Sequence, residues 1–200
     1  MGRKSGNGQE RERRVVAQEA ARIIVNHGVR DYRAAKLKAA ERLGLTARGS
    51  LPGNTEIEQA VAEHHQIFGG DEHANLLNRL RAAALEAMDL LSGFSPRLVG
   101  PVLTGTADDN SAINLHVFSD DADAVGAALE NHDIACRSYE RRLQTRRGQP
   151  ETFAGFAFPW GQADVQATVF PVDGIRQAPL SPVDGKPMDR ADARRVGDLL

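Results

Sequence analysis

Apolar positions recur at helical spacing through the first half of the chain and alternate with polar ones through much of the second. Val15, Val16, Ala20, Ile23 and Ile24 fall near a period of 3.6 and predict a helix over residues 9–26, with His27-Gly28 as its stop. Asp31 then reads as the cap of a second helix through residue 42, whose apolar positions include Tyr32, Ala35, Leu37, Ala39 and Ala40 and which Gly44 ends. A Gly/Pro-containing linker, residues 47–53, precedes a third helix over 55–68 capped by Asn54. Gly69-Gly70 breaks the pattern. Asp71 or Glu72 opens a strongly amphipathic helix to about residue 91, with Leu77, Leu80, Ala84, Ala87, Met88 and Leu91 as its stripe.

Period two takes over from there. Residues 98–103 form an apolar run read as a strand, and residues 104–111 hold the turn formers Gly105, Asp108, Asp109 and Asn110. Over 112–118 the chain alternates: Ile113, Leu115 and Val117 take one face, Ala112, Asn114 and His116 the other. Asp120 or Asp121 caps a helix carrying Val125, Ala128 and Leu129, and residues 134–143 look extended. A strand over 152–158, a turn at 159–161 and a strand over 163–170 follow. In the last of these Val165, Ala167 and Val169 alternate with Asp164, Gln166 and Thr168. The tail holds Pro171, Pro179, Pro182 and Pro187 and reads as loop until Asp189 caps a short helix. The fold class is therefore α+β: a small mixed sheet with flanking helices, preceded by an α-helical region. The expected divisions are residues 1–70, 71–175 and 176–200.

Composition narrows the setting. Hydrophobic content of 41% and charged content of 26% suit a soluble globular chain, and no run has the length of a membrane span. The polar N-terminus does not read as a secretory signal, and Cys136, the only cysteine, cannot form an internal disulfide. A cytoplasmic location is expected. The net charge of −2 hides an asymmetry: residues 1–50 carry 12 Lys/Arg against 5 Asp/Glu. Such a basic quarter suits RNA, another polyanion or a protein partner, or is simply a solvated helical surface.

The stretch from Gly100 through Gly105 to Ser111-Ala112-Ile113-Asn114-Leu115 resembles the signature of the polymerase-beta-like nucleotidyltransferases: a strand ending in Gly-Ser or Gly-Gly, about ten residues, then Asp-x-Asp on the next strand. The whole chain, with its N-terminal helices and the block RLVGPVLTGTA, is also similar to small bacterial proteins loosely labelled nucleotidyltransferases. The resemblance implies a sheet of that type over roughly residues 71–175 and nucleotidyl transfer through two magnesium ions on three carboxylates. In this chain Ala112 and Asn114 stand at the two aspartate positions, and Pro101 at the Ser/Gly position. Magnesium favours carboxylate oxygens, so the frame lacks its metal ligands.

What remains is a set of candidates. Asp164, Asp108 and Asp109 are the candidate catalytic carboxylates, with Asp164 the candidate magnesium ligand and Asp164 or Gln166 at the third-carboxylate position. Asp108 and Asp109 also read as turn residues. Gly100 allows close approach of a ligand, and Thr104, Gly105 and Thr106 offer backbone and hydroxyl donors to an anion. Asn114 and His116 offer polar groups on the open strand face. Arg137 and Arg141, in a basic cluster with Arg142, Arg146, Arg147 and Tyr139, suit phosphate, or else protect an exposed edge strand. The expected function is nucleotide or other phosphate-ligand binding in a catalytically degenerate cleft beside 112–118 and 163–170. The alternatives are an active magnesium-dependent enzyme with a non-standard metal site, and a non-enzymatic RNA- or protein-binding adaptor.

Overall fold

The computed structural model describes residues 4–27, 29, 31–45, 51–146 and 148–200, with side chains from residue 8 onward. The stop at Gly28, residues 47–50 of the expected linker, and Arg147 lie outside the described residues. The chain forms two compact units, Met1–His73 and Ala74–Leu200.

The first unit is helical. α1 (Lys4–His27) packs against α2 (Tyr32–Arg42) and α3 (Asn54–Phe68). Its core is Val16, Ala17, Ala20, Ile23, Ala35, Ala39, Ile57 and Val61. The many alanines let the helices approach closely. α1 begins before residue 9, because polar residues continue the helix beyond the stripe that marks its buried part. Asp31 caps α2 by accepting from the Arg33 amide at 2.8 Å. The cap of α3 is Gly53 rather than Asn54, since Glu56 reaches back to the Gly53 amide at 2.7 Å. Asn54 instead accepts from Lys36 Nζ at 2.9 Å.

The second unit is a five-stranded mixed sheet with helices on its core face. α4 (Gly70–Leu90) leads into β1 (Arg97–Val99), α5 (Pro101–Thr104) and β2 (Ile113–Phe118). α6 (Ala122–Glu130) then carries the chain to the far edge, where β3 (Arg137–Gln144), β4 (Pro150–Trp160) and β5 (Ala163–Phe170) form a meander that returns. The order is β1-β2-β5-β4-β3, with β2 and β5 parallel and the other pairs antiparallel. Ile113, Leu115, Val117, Val165, Ala167 and Phe158 bury one face against α4 and α6. Among the described residues, no helix is long and apolar enough to cross a membrane.

Three details differ from expectation. The run 98–103 is not one strand: β1 stops at Val99, Gly100 takes φ 73° and ψ −154°, and Pro101 opens α5. That backbone conformation is open essentially only to glycine, and it turns the chain before the apolar residues are used up. The turn after β4 is at Gly161-Gln162, so Pro159 and Trp160 remain in the strand. The tail is part of the second unit: Ala191 exchanges backbone hydrogen bonds with Leu98 at 2.8 and 2.9 Å, and Val196 of α7 (Ala193–Gly197) is buried in the core. Asp192, not Asp189, caps α7 by accepting from Arg195 N at 2.9 Å. Asp189 pairs with the Arg195 side chain instead.

Gly155 on β4 keeps the second face of the sheet passable. Tyr139 of β3 pairs with Gly155, lies across it, and its hydroxyl shares a 2.8 Å hydrogen bond with Thr168 Oγ1 of β5. A Cβ on Gly155 would fall 2.4 Å from Tyr139 Cζ. Gly155→Ala is therefore expected to lower unfolding stability by about 1–3 kcal/mol, the usual range for overpacking. Tyr139→Phe, which deletes only the hydrogen bond, is expected to cost about 1 kcal/mol. Urea denaturation measures both, and an unchanged midpoint in Gly155→Ala would mean that the ring does not rest on the glycine.

Candidate functional site

β2 and β5 pair in register, with Asn114 opposite Gln166 and His116 opposite Thr168. Parallel neighbours opposite each other share a face, so the two amides stand side by side away from the core. β4 puts Ala157 beside Gln166, and Gly155 beside Thr168. These small residues leave room for side chains from the edge strand to cross two strands. Arg141 does so. Its Nη1 donates to Asn114 Oδ1 at 3.1 Å, and its Nη2 donates to Gln166 Oε1. Asn114 is held in turn by donating Nδ2 to the Ala112 carbonyl at 3.0 Å. Gly100 sits close by: a Cβ there would lie 3.7 Å from Asn114 Nδ2.

Arg141 is half-buried, and the two amide bonds use two of its five N–H donors. The guanidinium lies 5.4 Å from the centroid of the Tyr139 ring. Arg137, exposed on the same strand face, pairs with Ala157 one strand from Gln166. Among the described residues, none of Arg97, Arg137, Arg141 and Arg190 is within ion-pair distance of a carboxylate. Four cations over one sheet face thus meet only neutral acceptors or solvent.

An open cleft of about 350 Å³ adjoins this group, lined by Asp109, Asn110, Ser111, Ala112, Pro159, Gly161, Gln162, Ala163 and Asp164. Asp109 and Asp164 are therefore brought together. Asp108 is not available to the cleft: its Oδ1 accepts from Ser111 Oγ at 2.7 Å and from the Asn110 amide at 3.0 Å. It holds the turn. Asp164 precedes Gln166 by two residues on the same face of β5, which separates them by about 7 Å along the strand.

Magnesium does not fit between the paired amides of β2 and β5. Among the described residues, no group of three or more His, Cys, Asp or Glu is placed to hold a metal ion. The two amide oxygens that face each other across β2 and β5 already accept from a guanidinium, and a cation there repels another. The expected cradle of Thr104, Gly105 and Thr106 is also occupied. Their amides donate to Gly100 O at 3.0 Å and to Pro101 O at 2.9 and 3.0 Å, closing the end of α5. The two threonine hydroxyls bond each other at 3.0 Å.

His116 is the clearest departure from expectation. It was expected on an open face, yet it is only 1% exposed. The segment after β5 brings Arg190 over it, and Arg190 Nε donates to His116 Nδ1 at 2.9 Å. The ring proton must then sit on Nε2. Arg190 also donates to the Gly174 carbonyl at 2.7 Å and stacks on Phe118 and Phe170 at 5.0 and 4.8 Å. Burial and the Arg97 charge lower its pKa to about 10. Nothing in a Pro- and Gly-rich tail marked Arg190 as a sheet-packing residue.

No family model matches the chain, and no curated protein matches it.

The buried imidazole has a consequence that needs no ligand. Burial first, then the Arg190 and Arg141 charges, hold His116 well below its ordinary value of 6.5. The unfolded chain takes up that proton near pH 6.5 while the folded chain refuses it, so the unfolded state binds more protons in acid. Stability is expected to be intact above pH 7 and to fall as the pH drops below about 6.5. One proton limits this residue's slope to about 1.4 kcal/mol per pH unit. Urea midpoints between pH 7.5 and 5 check this, with His116→Asn, which keeps an acceptor for Arg190, expected to be flatter over the window.

Proposed function

We propose that the second unit is a nucleotidyltransferase-like domain that binds a nucleotide or other phosphate-bearing ligand beside β2 and β5, without two-metal catalysis. The observation that supports this most directly is Arg141, whose guanidinium spans Asn114 and Gln166. An arginine preset by two neutral acceptors keeps its charge and its remaining donors for an incoming oxyanion, and its planar fork suits phosphate. Among the described residues, Arg137 and Arg141 have no carboxylate partner, which adds to the case because their positive charge is left for a ligand to neutralise. The chain order of strand, Gly100, α5 and β2, with β5 parallel beside β2, is compatible with the nucleotidyltransferase resemblance.

The adaptor reading gains less support. Counted to the end of the first unit at residue 73, the basic excess shrinks to 12 Lys/Arg against 10 Asp/Glu. Arg13, Arg22 and Arg42 already pair with Glu56 or Glu19. A cytoplasmic location remains part of the proposal.

Calorimetric titration with ATP tests the reading. Binding is expected in EDTA, with no gain when magnesium is added. Arg141→Gln is expected to weaken it about 10–100-fold, the worth of one lost charged hydrogen-bonding group. No binding of either ATP or inorganic phosphate, an affinity indifferent to Arg141→Gln, or a strong preference for the magnesium complex would each overturn the proposal.

A further inference from the structure

Charge is segregated along the site. At one end Arg141 sits over Asn114 and Gln166, with Arg137 near it on the same face. At the other end Asp109 and Asp164 line the cleft, both exposed. The two ends are about 7 Å apart along β5, and no ion pair joins them. A ligand negative throughout its length would meet the carboxylates at close range and be repelled. A ligand that fits must carry its anion at one end and hydrogen-bond donors at the other.

The rest of the lining narrows the donor end. Gln162 adds a neutral polar side chain beside the two carboxylates, and Pro159, Gly161 and Ala163 keep the walls small. Among the described residues, no aromatic ring lines the cleft to stack on a planar group. Several separate acceptors and small walls suit a group with several hydroxyls rather than a single ammonium or a flat ring. Ionised carboxylates accept hydroxyl protons in strong, charge-assisted hydrogen bonds.

We infer that the site takes a phosphomonoester of a polyhydroxylated group, such as a pentose phosphate or the sugar-phosphate part of a ribonucleotide. Its phosphate lies on Arg141 and its hydroxyls on Asp109 and Asp164. This rests on the phosphate-binding reading above and adds the second half of the ligand. Asp109 and Asp164 then serve to read hydroxyls.

Calorimetry with inorganic phosphate, ribose 5-phosphate, 2-deoxyribose 5-phosphate and phosphoethanolamine separates the two claims. In the wild-type protein ribose 5-phosphate is expected to bind about tenfold more tightly than inorganic phosphate, with the deoxy sugar between them. Asp164→Asn and Asp109→Asn are expected to remove most of that tenfold advantage while leaving inorganic phosphate unchanged or slightly tighter. Both side chains are exposed, so unchanged urea midpoints serve as the folding control. Arg141→Gln is expected to weaken every phosphate probe. Equal affinity for phosphate and ribose 5-phosphate, a sugar advantage that survives both aspartate variants, or phosphoethanolamine binding more tightly than ribose 5-phosphate would overturn this inference while leaving phosphate binding intact. Failure of all probes to bind would remove both.

Discussion

Arg141 reaches the middle of the sheet only because β2 and β5 run parallel and in register while β4 presents no bulk between them and the edge. Asn114 and Gln166 come from stretches 52 residues apart and become neighbours through that pairing. Gly155 and Ala157 then form a shallow corridor across β4, which Tyr139 and Arg141 of β3 cross to reach Thr168 and the amide pair. A one-residue slip of β5 against β2 would send Gln166 and Thr168 into the core and Val165 and Ala167 out of it. The buried row Ile113, Leu115, Val117, Val165 and Ala167 therefore holds the polar site in register.

The same face is divided by what covers it. Toward the C-terminal ends of β2 and β5, Phe118 and Phe170 pack under Arg190, and His116 is sealed beneath. A cation withdrawn from water needs polar partners, and here they are an imidazole nitrogen and backbone carbonyls. Toward the N-terminal ends the face opens onto Asp164 and the cleft. The covered half is a structural clamp that ties the segment after β5 to the sheet. The open half keeps Arg141 in reach of solvent, with carboxylates on the far side of the cleft.

Much of this organisation was legible beforehand. The alternation in residues 112–118 and 163–170 identified both strands and the faces of their side chains, because each side chain reports its own burial at period two. The cap at Asp31 was legible for a similar reason, and the cap of α6, which is Asp121, was legible to within one residue as Asp120 or Asp121, since a cap acts within three residues of itself. Gly100, by contrast, was marked as a strand end only by the family resemblance, and nothing near it announced that the rest of the apolar run would become α5. The Thr104–Thr106 group looked like free donors because its amides are consumed by Gly100 and Pro101 only once that short helix closes. His116 looked open because its cover comes from Arg190, 74 residues later.

Sequence alone determined the local periodicities, the α+β class, the polar identity of one sheet face and the neutral side chains at residues 112 and 114. Those follow from side-chain chemistry and near-neighbour geometry, which act over a few residues. Tertiary structure decided which strand lies beside β2, that an arginine bridges the amides, which half of the face is sealed, and that Asp109 and Asp164 line one cleft while Asp108 is spent on a turn. Each of these depends on distant segments being brought to within hydrogen-bonding range, and no short-range pattern encodes that choice of partner.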